Sequence, residues 1–177
     1  MANSPFDLTG KVALVTGSTR GIGKSIAEEM ARAGAKVVVS SRKADACEQV
    51  HAEFEKQGYE VLAQACNVSR KDELQALVDA TLKRWGRIDI AVSNAASNPY
   101  YGPLAAIPED AFDKIFNNNV KSVLWLAAMT LPGMAERGGG SYISVGSIGG
   151  IAAFLASEAA AFITGQVIIA DGGVTIV

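Results

Sequence analysis

Apolar and polar positions along this chain switch repeatedly between two periods. Residues 12–15 form a short unbroken apolar run, the pattern of a strand buried on both faces. Gly17, Gly21 and Gly23 interrupt it, and Ile22, Ile26 and Met30 then recur four apart. That spacing predicts a helix, stopped at Gly34. A β-branched strand follows over 36–41, then a polar helix over 44–57 closed by Gly58, then a third strand over 61–65. Ser69-x-x-Asp72 has the spacing of a capping box. Leu74, Leu77, Val78, Thr81, Leu82 and Trp85 make the stripe of the next helix, which Gly86 closes. Residues 88–92 read as a fourth strand, 111–135 as a long helix with Pro132 near its end, 142–145 as a fifth strand and 166–170 as a last one.

Strands alternating with helices predict an α/β domain, a parallel sheet covered on both faces. Right-handed crossovers put the first strand in the middle and give the order 3-2-1-4-5. Ligands of such doubly wound sheets bind outside the carboxyl ends of the strands, where the order reverses between strands one and four. The Gly17 to Gly23 turn, Arg42, Asn67 and Asn94 all fall at that edge.

Composition narrows the function. With 177 residues, one domain is the default. A net charge of -2 predicts no nucleic-acid partner. His51 is the single histidine, so neither a histidine metal site nor a Ser-His-Asp triad is expected. Cys47 and Cys66 form no disulfide framework, which fits a reduced, cytoplasmic setting. Residues 1–10 lack the apolar core of a signal peptide, and no apolar run has the length of a membrane span. After Arg137 only Glu158 and Asp171 are charged, so the last forty residues are either buried or adhesive.

The chemistry lies in the turn Thr16-Gly17-Ser18-Thr19-Arg20-Gly21-Ile22-Gly23, which follows a strand and opens a helix. Glycines let the backbone turn sharply and approach a pyrophosphate, while the helix N-terminus offers free amides and a positive dipole end. A purely structural turn has the same composition. Ser41, with Arg42 after it, stands where an acid would bind ribose hydroxyls in an NAD site. An arginine fork suits a 2′-phosphate instead, with Arg20 and Lys43 in reach, so NADP(H) is favoured over NAD(H). A solvated basic loop is the plainer alternative. Asn117, Asn118 and Asn119 are poor helix formers inside a helical pattern, so some local group must use their amides. Trp85 and Trp125 read as core, and Asp89 and Glu109 as solvated or capping residues.

The Thr-Gly-x3-Gly-Ile-Gly signature resembles that of the short-chain dehydrogenase/reductase family, and four more segments match in order. Ser93-Asn94-Ala95-Ala96 is similar to the family's Asn-Asn-Ala-Gly after strand four. Asn119-Val120 is similar to the catalytic asparagine of the long helix, whose backbone joins a water chain at a kink. Ser144-Val145-Gly146-Ser147 resembles the end of strand five, where the second serine is catalytic. The stretch from Ile163-Thr164-Gly165-Gln166 through Asp171-Gly172-Gly173 resembles the C-terminal strand. The resemblance implies a Rossmann-like dinucleotide-binding domain, with 11–154 the nucleotide-binding part and 155–177 the C-terminal strand segment. It also implies cofactor contacts from Ala95 and Asn94, and an aspartate near adenine where this chain has Asn67, which keeps an acceptor. Ser93-Asn94-Ala95-Ala96-x-Asn98-Pro99 with Ser41-Arg42-Lys43 further resembles members that reduce carbonyls with NADPH.

One part of the pattern is missing. In the family a tyrosine follows the catalytic serine by about a dozen residues, with a lysine four later; here Ala159 and Ala160 stand at the tyrosine's distance. No tyrosine follows Tyr142 and no lysine follows Lys121. Between Phe154 and Leu155 family members carry roughly 70 further residues, which hold the catalytic helix and sixth strand of the doubly wound sheet. Ile90, Val92, Ile143 and Val145 are expected to lose cover as a result. Three readings stay open: an NADP(H)-dependent oxidoreductase of carbonyl or alcohol substrates in its parent form, a non-catalytic nucleotide-binding or interaction module, and a truncated product without function. The resemblance implies a homo-oligomer for full-length members, and the absent helix weakens that expectation here.

Overall fold

The computed structural model describes residues 5–146. Ser147, the expected strand over 166–170 and the Phe154–Leu155 junction lie outside them. Five strands form one parallel sheet in the order β3-β2-β1-β4-β5, as the alternation predicts. They are β1 (Val12–Thr16), β2 (Lys36–Ser40), β3 (Val61–Ala63), β4 (Ile90–Ser93) and β5 (Ser141–Ser144). The connecting helices are α1 (Gly21–Arg32), α2 (Ala44–Lys56), α3 (Lys71–Trp85), α4 (Glu109–Phe116) and α5 (Ser122–Glu136).

All of β1 and β4 is buried, which is why each is apolar without alternation up to its last residue, Thr16 or Ser93. Alternate residues still face different layers. Ala13, Val15, Val37, Val39, Ile90 and Val92 pack with Ile26, Ala27 and Met30 of α1. Leu14, Val38 and Ala91 pack with Leu74, Leu77 and Val78 of α3 and Leu126 and Met134 of α5. The expected loss of cover is not seen at three of its four positions. Ile90, Val92 and Ile143 are 2%, 0% and 7% exposed, and all three belong to the α1-side core. Val145 is half-buried against the same cluster.

Three local expectations need correction. The long helix is interrupted by a π turn at Asn117–Lys121, between α4 and α5. The Ser69 hydroxyl does not cap α3, whose cap position is Arg70; it donates to Asn67 Oδ1 at 2.9 Å. Asp89 is neither solvated nor a helix cap. It is buried, accepts from the Val12 amide at 2.9 Å and is gripped by the Arg87 guanidinium. Gly86 does close α3, in the left-handed conformation at φ 73.

Candidate active site

The carboxyl ends of β1, β2 and β4 are joined by side chains of the glycine turn itself. Thr16 Oγ1 accepts from the amides of Asn94 at 3.0 Å and Ala95 at 3.1 Å, and lies 3.3 Å from the Val92 carbonyl, to which it donates. Asn94 Nδ2 returns the bond, donating to the Thr16 carbonyl at 2.9 Å and the Gly17 carbonyl at 3.1 Å. On the other side, Ser18 Oγ donates to the Val15 carbonyl at 2.7 Å and accepts from the Ser40 amide at 2.9 Å, while the Ser18 amide donates to Ser40. Thr16, Ser18 and Asn94 are therefore committed to the scaffold, and a ligand at this edge meets the backbone beside them.

Two glycines are required by packing. A Cβ on Gly17 would stand 2.9 Å from Ala95 Cα, and Gly17 has φ 67. A Cβ on Gly23 would overlap both Asn94 Nδ2 and the Gly17 carbonyl oxygen. Gly21, at φ 54, has nothing within 4 Å of where a Cβ would stand. The turn is thus pressed against β4 on its inner side and open on its outer side, where Thr19 is half-buried and Arg20, Gly21 and Ile22 are exposed. No side chain caps α1, and its first turn carries no acid, whereas α2, α3 and α4 each have one or two there. The amides at its start are free to meet an anion, which the dipole favours. A pyrophosphate fits this cradle.

The arginines divide into two groups. Arg32, Arg70 and Arg87 are ion-paired, Arg84 lies over Trp85, and Arg137 donates to the Ile88 carbonyl. Arg20 and Arg42 are exposed and have no partner among the described residues. Each stands two residues beyond one end of the Ser18–Ser40 link, which joins their two backbone segments at the carboxyl ends of β1 and β2. Beneath Arg42, Ser41 Oγ accepts from the Lys43 amide at 3.3 Å and its carbonyl accepts from the Cys66 amide. Burial raises the Cys66 thiol to about 12, with Glu73 and Asp72 adding to the effect.

Asn67 departs from the expectation of a free acceptor. Its Oδ1 accepts from the Ser69 amide and hydroxyl, which leaves the Nδ2 donor uncommitted among the described residues. Asn119 pairs with the loop after β4. Its Oδ1 accepts from the Ser97 amide at 2.9 Å, and its Nδ2 donates to the Ser97 carbonyl at 3.0 Å. Asn118 Nδ2 donates to Ser97 Oγ at 2.6 Å. The asparagine run signalled that its amides are used locally. Ser97, more than twenty residues upstream, carried no signal in the sequence.

A family model described as short chain dehydrogenase matches residues 11–160. Dehydrogenase/reductase SDR family member 4 of Bos taurus is 43% identical over 147 residues, which cover 83% of this chain and 53% of that protein. The chain thus spans about half the length of the curated relatives it matches. Among solved structures, a 7 alpha-hydroxysteroid dehydrogenase complexed with NADH and 7-oxo glycochenodeoxycholic acid superimposes with a TM-score of 0.78 at 36% identity, covering 91% of this chain and 65% of that one. A gluconate 5-dehydrogenase from Burkholderia cenocepacia, in complex with NADP and tartrate, superimposes with a TM-score of 0.89 over 100% of both chains; at 23% identity it speaks to the fold alone. With the glycine turn, the 3-2-1-4-5 sheet and the family match over most of its length, the chain belongs to the short-chain dehydrogenase family.

Proposed function

We propose that this chain is the nucleotide-binding part of an oxidoreductase of carbonyl or alcohol substrates, and that it binds NADP(H) in preference to NAD(H). The observation that carries the preference is the pair of uncommitted cations, Arg20 and Arg42, at the corner beyond β2. A 2′-phosphate there would accept charge-assisted bonds from both guanidinium groups. The amides at the start of α1 would hold the pyrophosphate, and Asn67 Nδ2 would donate to a ring nitrogen of the adenine. When bound, the nicotinamide supplies or accepts the hydride. By the family resemblance, Ser147 would orient the substrate oxygen, and the Asn119 backbone would hold water beside it. A cytoplasmic setting belongs to the same reading and rests on two buried free thiols.

In this reading the chemistry is impaired. The acid that gives a proton to the substrate oxygen is absent, as is the lysine that tunes it. Tyr142 cannot replace it: its hydroxyl donates to the Val123 carbonyl at 2.6 Å, and burial raises it to about 12, though the Ser93 hydroxyl pulls the other way. Tyr100 donates to the Pro103 carbonyl at 3.0 Å. A non-catalytic nucleotide-binding module is therefore the second reading, favoured by the missing Tyr-x-x-x-Lys pair.

Calorimetric titration tests the cofactor. NADPH should bind more tightly than NADH, and Arg42→Ala should weaken NADPH about 10- to 100-fold, the range of a lost charge-assisted bond, while leaving NADH unchanged. Equal affinities would reject the preference. Turnover of diketone or quinone substrates should stay far below the ordinary enzyme range of roughly 1–10³ per second. A rate of about 1 per second would show that another group supplies the proton.

A further inference from the structure

Ser97 is held on three sides by asparagine side chains. Its amide and carbonyl are both bonded to Asn119, and its Oγ accepts from Asn118 Nδ2 at 2.6 Å. Since Oγ receives a proton from Asn118, its own hydroxyl proton must point elsewhere. It has no acceptor among the described residues, and Ser97 is half-buried. The residue is thus a fixed donor with one free hydrogen.

Asn118 is built for this task at a cost to itself. It is 8% exposed, and its Oδ1 has no partner among the described residues. Leaving a buried amide half-bonded is unfavourable, and such atoms in native structures ask for an explanation. It sits in the π turn, a feature frequent at functional sites. The Asn118 carbonyl is also taken, by the Ser122 hydroxyl.

The position of Ser97 indicates what it meets. Three residues earlier, Asn94 is bonded to the glycine turn. With the adenosine half over β1, β2 and β3, where Arg42 and Asn67 lie, the rest of a dinucleotide crosses the switch point towards β4 and β5. Ser97 stands on that second side.

We propose that Ser97 is a further cofactor-contacting residue, whose hydroxyl donates to an oxygen acceptor on the ribose–nicotinamide half of the dinucleotide, and that Asn118 is the positioning residue that aims it. The inference rests on the cofactor reading above. Titration of the full chain with NADPH and with 2′,5′-ADP separates the two. Ser97→Ala should weaken NADPH about three- to tenfold, the range of one neutral hydrogen bond, and leave 2′,5′-ADP unchanged. Asn118→Val should show the same split, and the double variant should lose no more than either single one, because both act through one bond. Ser97→Thr, which keeps the hydroxyl, should restore NADPH affinity. Equal weakening of both ligands, or of neither, would overturn the role of Ser97 while leaving the cofactor reading intact. A wild-type chain that binds neither ligand would reject both.

Discussion

Gly23 illustrates how little room the site leaves at single positions. It lies in the first turn of α1 with an ordinary helical backbone, so conformation alone would admit alanine. Packing does not, because a Cβ would overlap Asn94 Nδ2 and the Gly17 carbonyl, the two ends of one hydrogen bond. Gly23→Ala must separate the turn from β4. We expect it to lower the melting temperature by about 4–8 °C, for a loss of about 2 kcal/mol, and NADPH affinity by at least about tenfold. An alanine variant that melts and binds like the wild type would show that the turn has slack. Asn67 makes a related point: its oxygen is used in a local turn, so it presents a donor where a free acceptor was expected.

At the level of elements, the start of β4 is tied down more firmly than its polar sequence implies. Arg87 and Asp89 flank Ile88 just after the Gly86 cap. Asp89 bonds the Val12 amide with its side chain, and its own amide donates to the Val12 carbonyl. The pair sets the register of β4 against β1, in which Ala13 faces Ile90. Asp89→Ala would leave the buried Val12 amide without that acceptor, at about 1–3 kcal/mol. The expected result is a drop in melting temperature of about 3–10 °C with the proposed NADPH-to-NADH preference unchanged, since the bond lies at the end of the sheet away from the glycine turn. A changed preference would mean that register errors reach the site. The glycine turn, the strand order and the Gly86 stop were legible because short-range rules govern them. The Ser69 capping box was not, because Asn67 competes for the same hydroxyl.

Across the whole molecule, burial sets how stability responds to alkali. The Cys66 thiol is raised from 9.0 to about 12 and the Tyr142 phenol from 10.0 to about 12, each mainly because the charged form would lose its hydration. In the unfolded chain both groups release their protons at the lower values. Stability from their neutral burial is therefore full below about pH 9 and is lost as pH rises from 9.0 towards about 12. Melts between about pH 8 and about pH 11 should show a steady fall that is smaller in Cys66→Ala. A flat profile would mean that both groups reach solvent when they ionise. Ile90, Val92 and Ile143 belong to the α1-side core and are buried at the positions where exposure was expected.

The sequence by itself determined the parallel sheet, its order and the place of the glycine turn between β1 and α1. Period, glycine spacing and crossover handedness act over a few residues or through one general rule, so they can be read from one chain. It also pointed to Arg20 and Arg42, because charge at a strand end needs no partner to be noticed. Only the tertiary structure decided which polar groups remain available to a ligand. Thr16, Ser18 and Asn94 are used up in joining β1, β2 and β4, Asn67 has its oxygen taken, and Ser97 is held by two asparagines more than twenty residues away. Those outcomes depend on pairings between segments distant in the chain, and a hydrogen bond is settled by distance and direction in space, which residue identity does not encode.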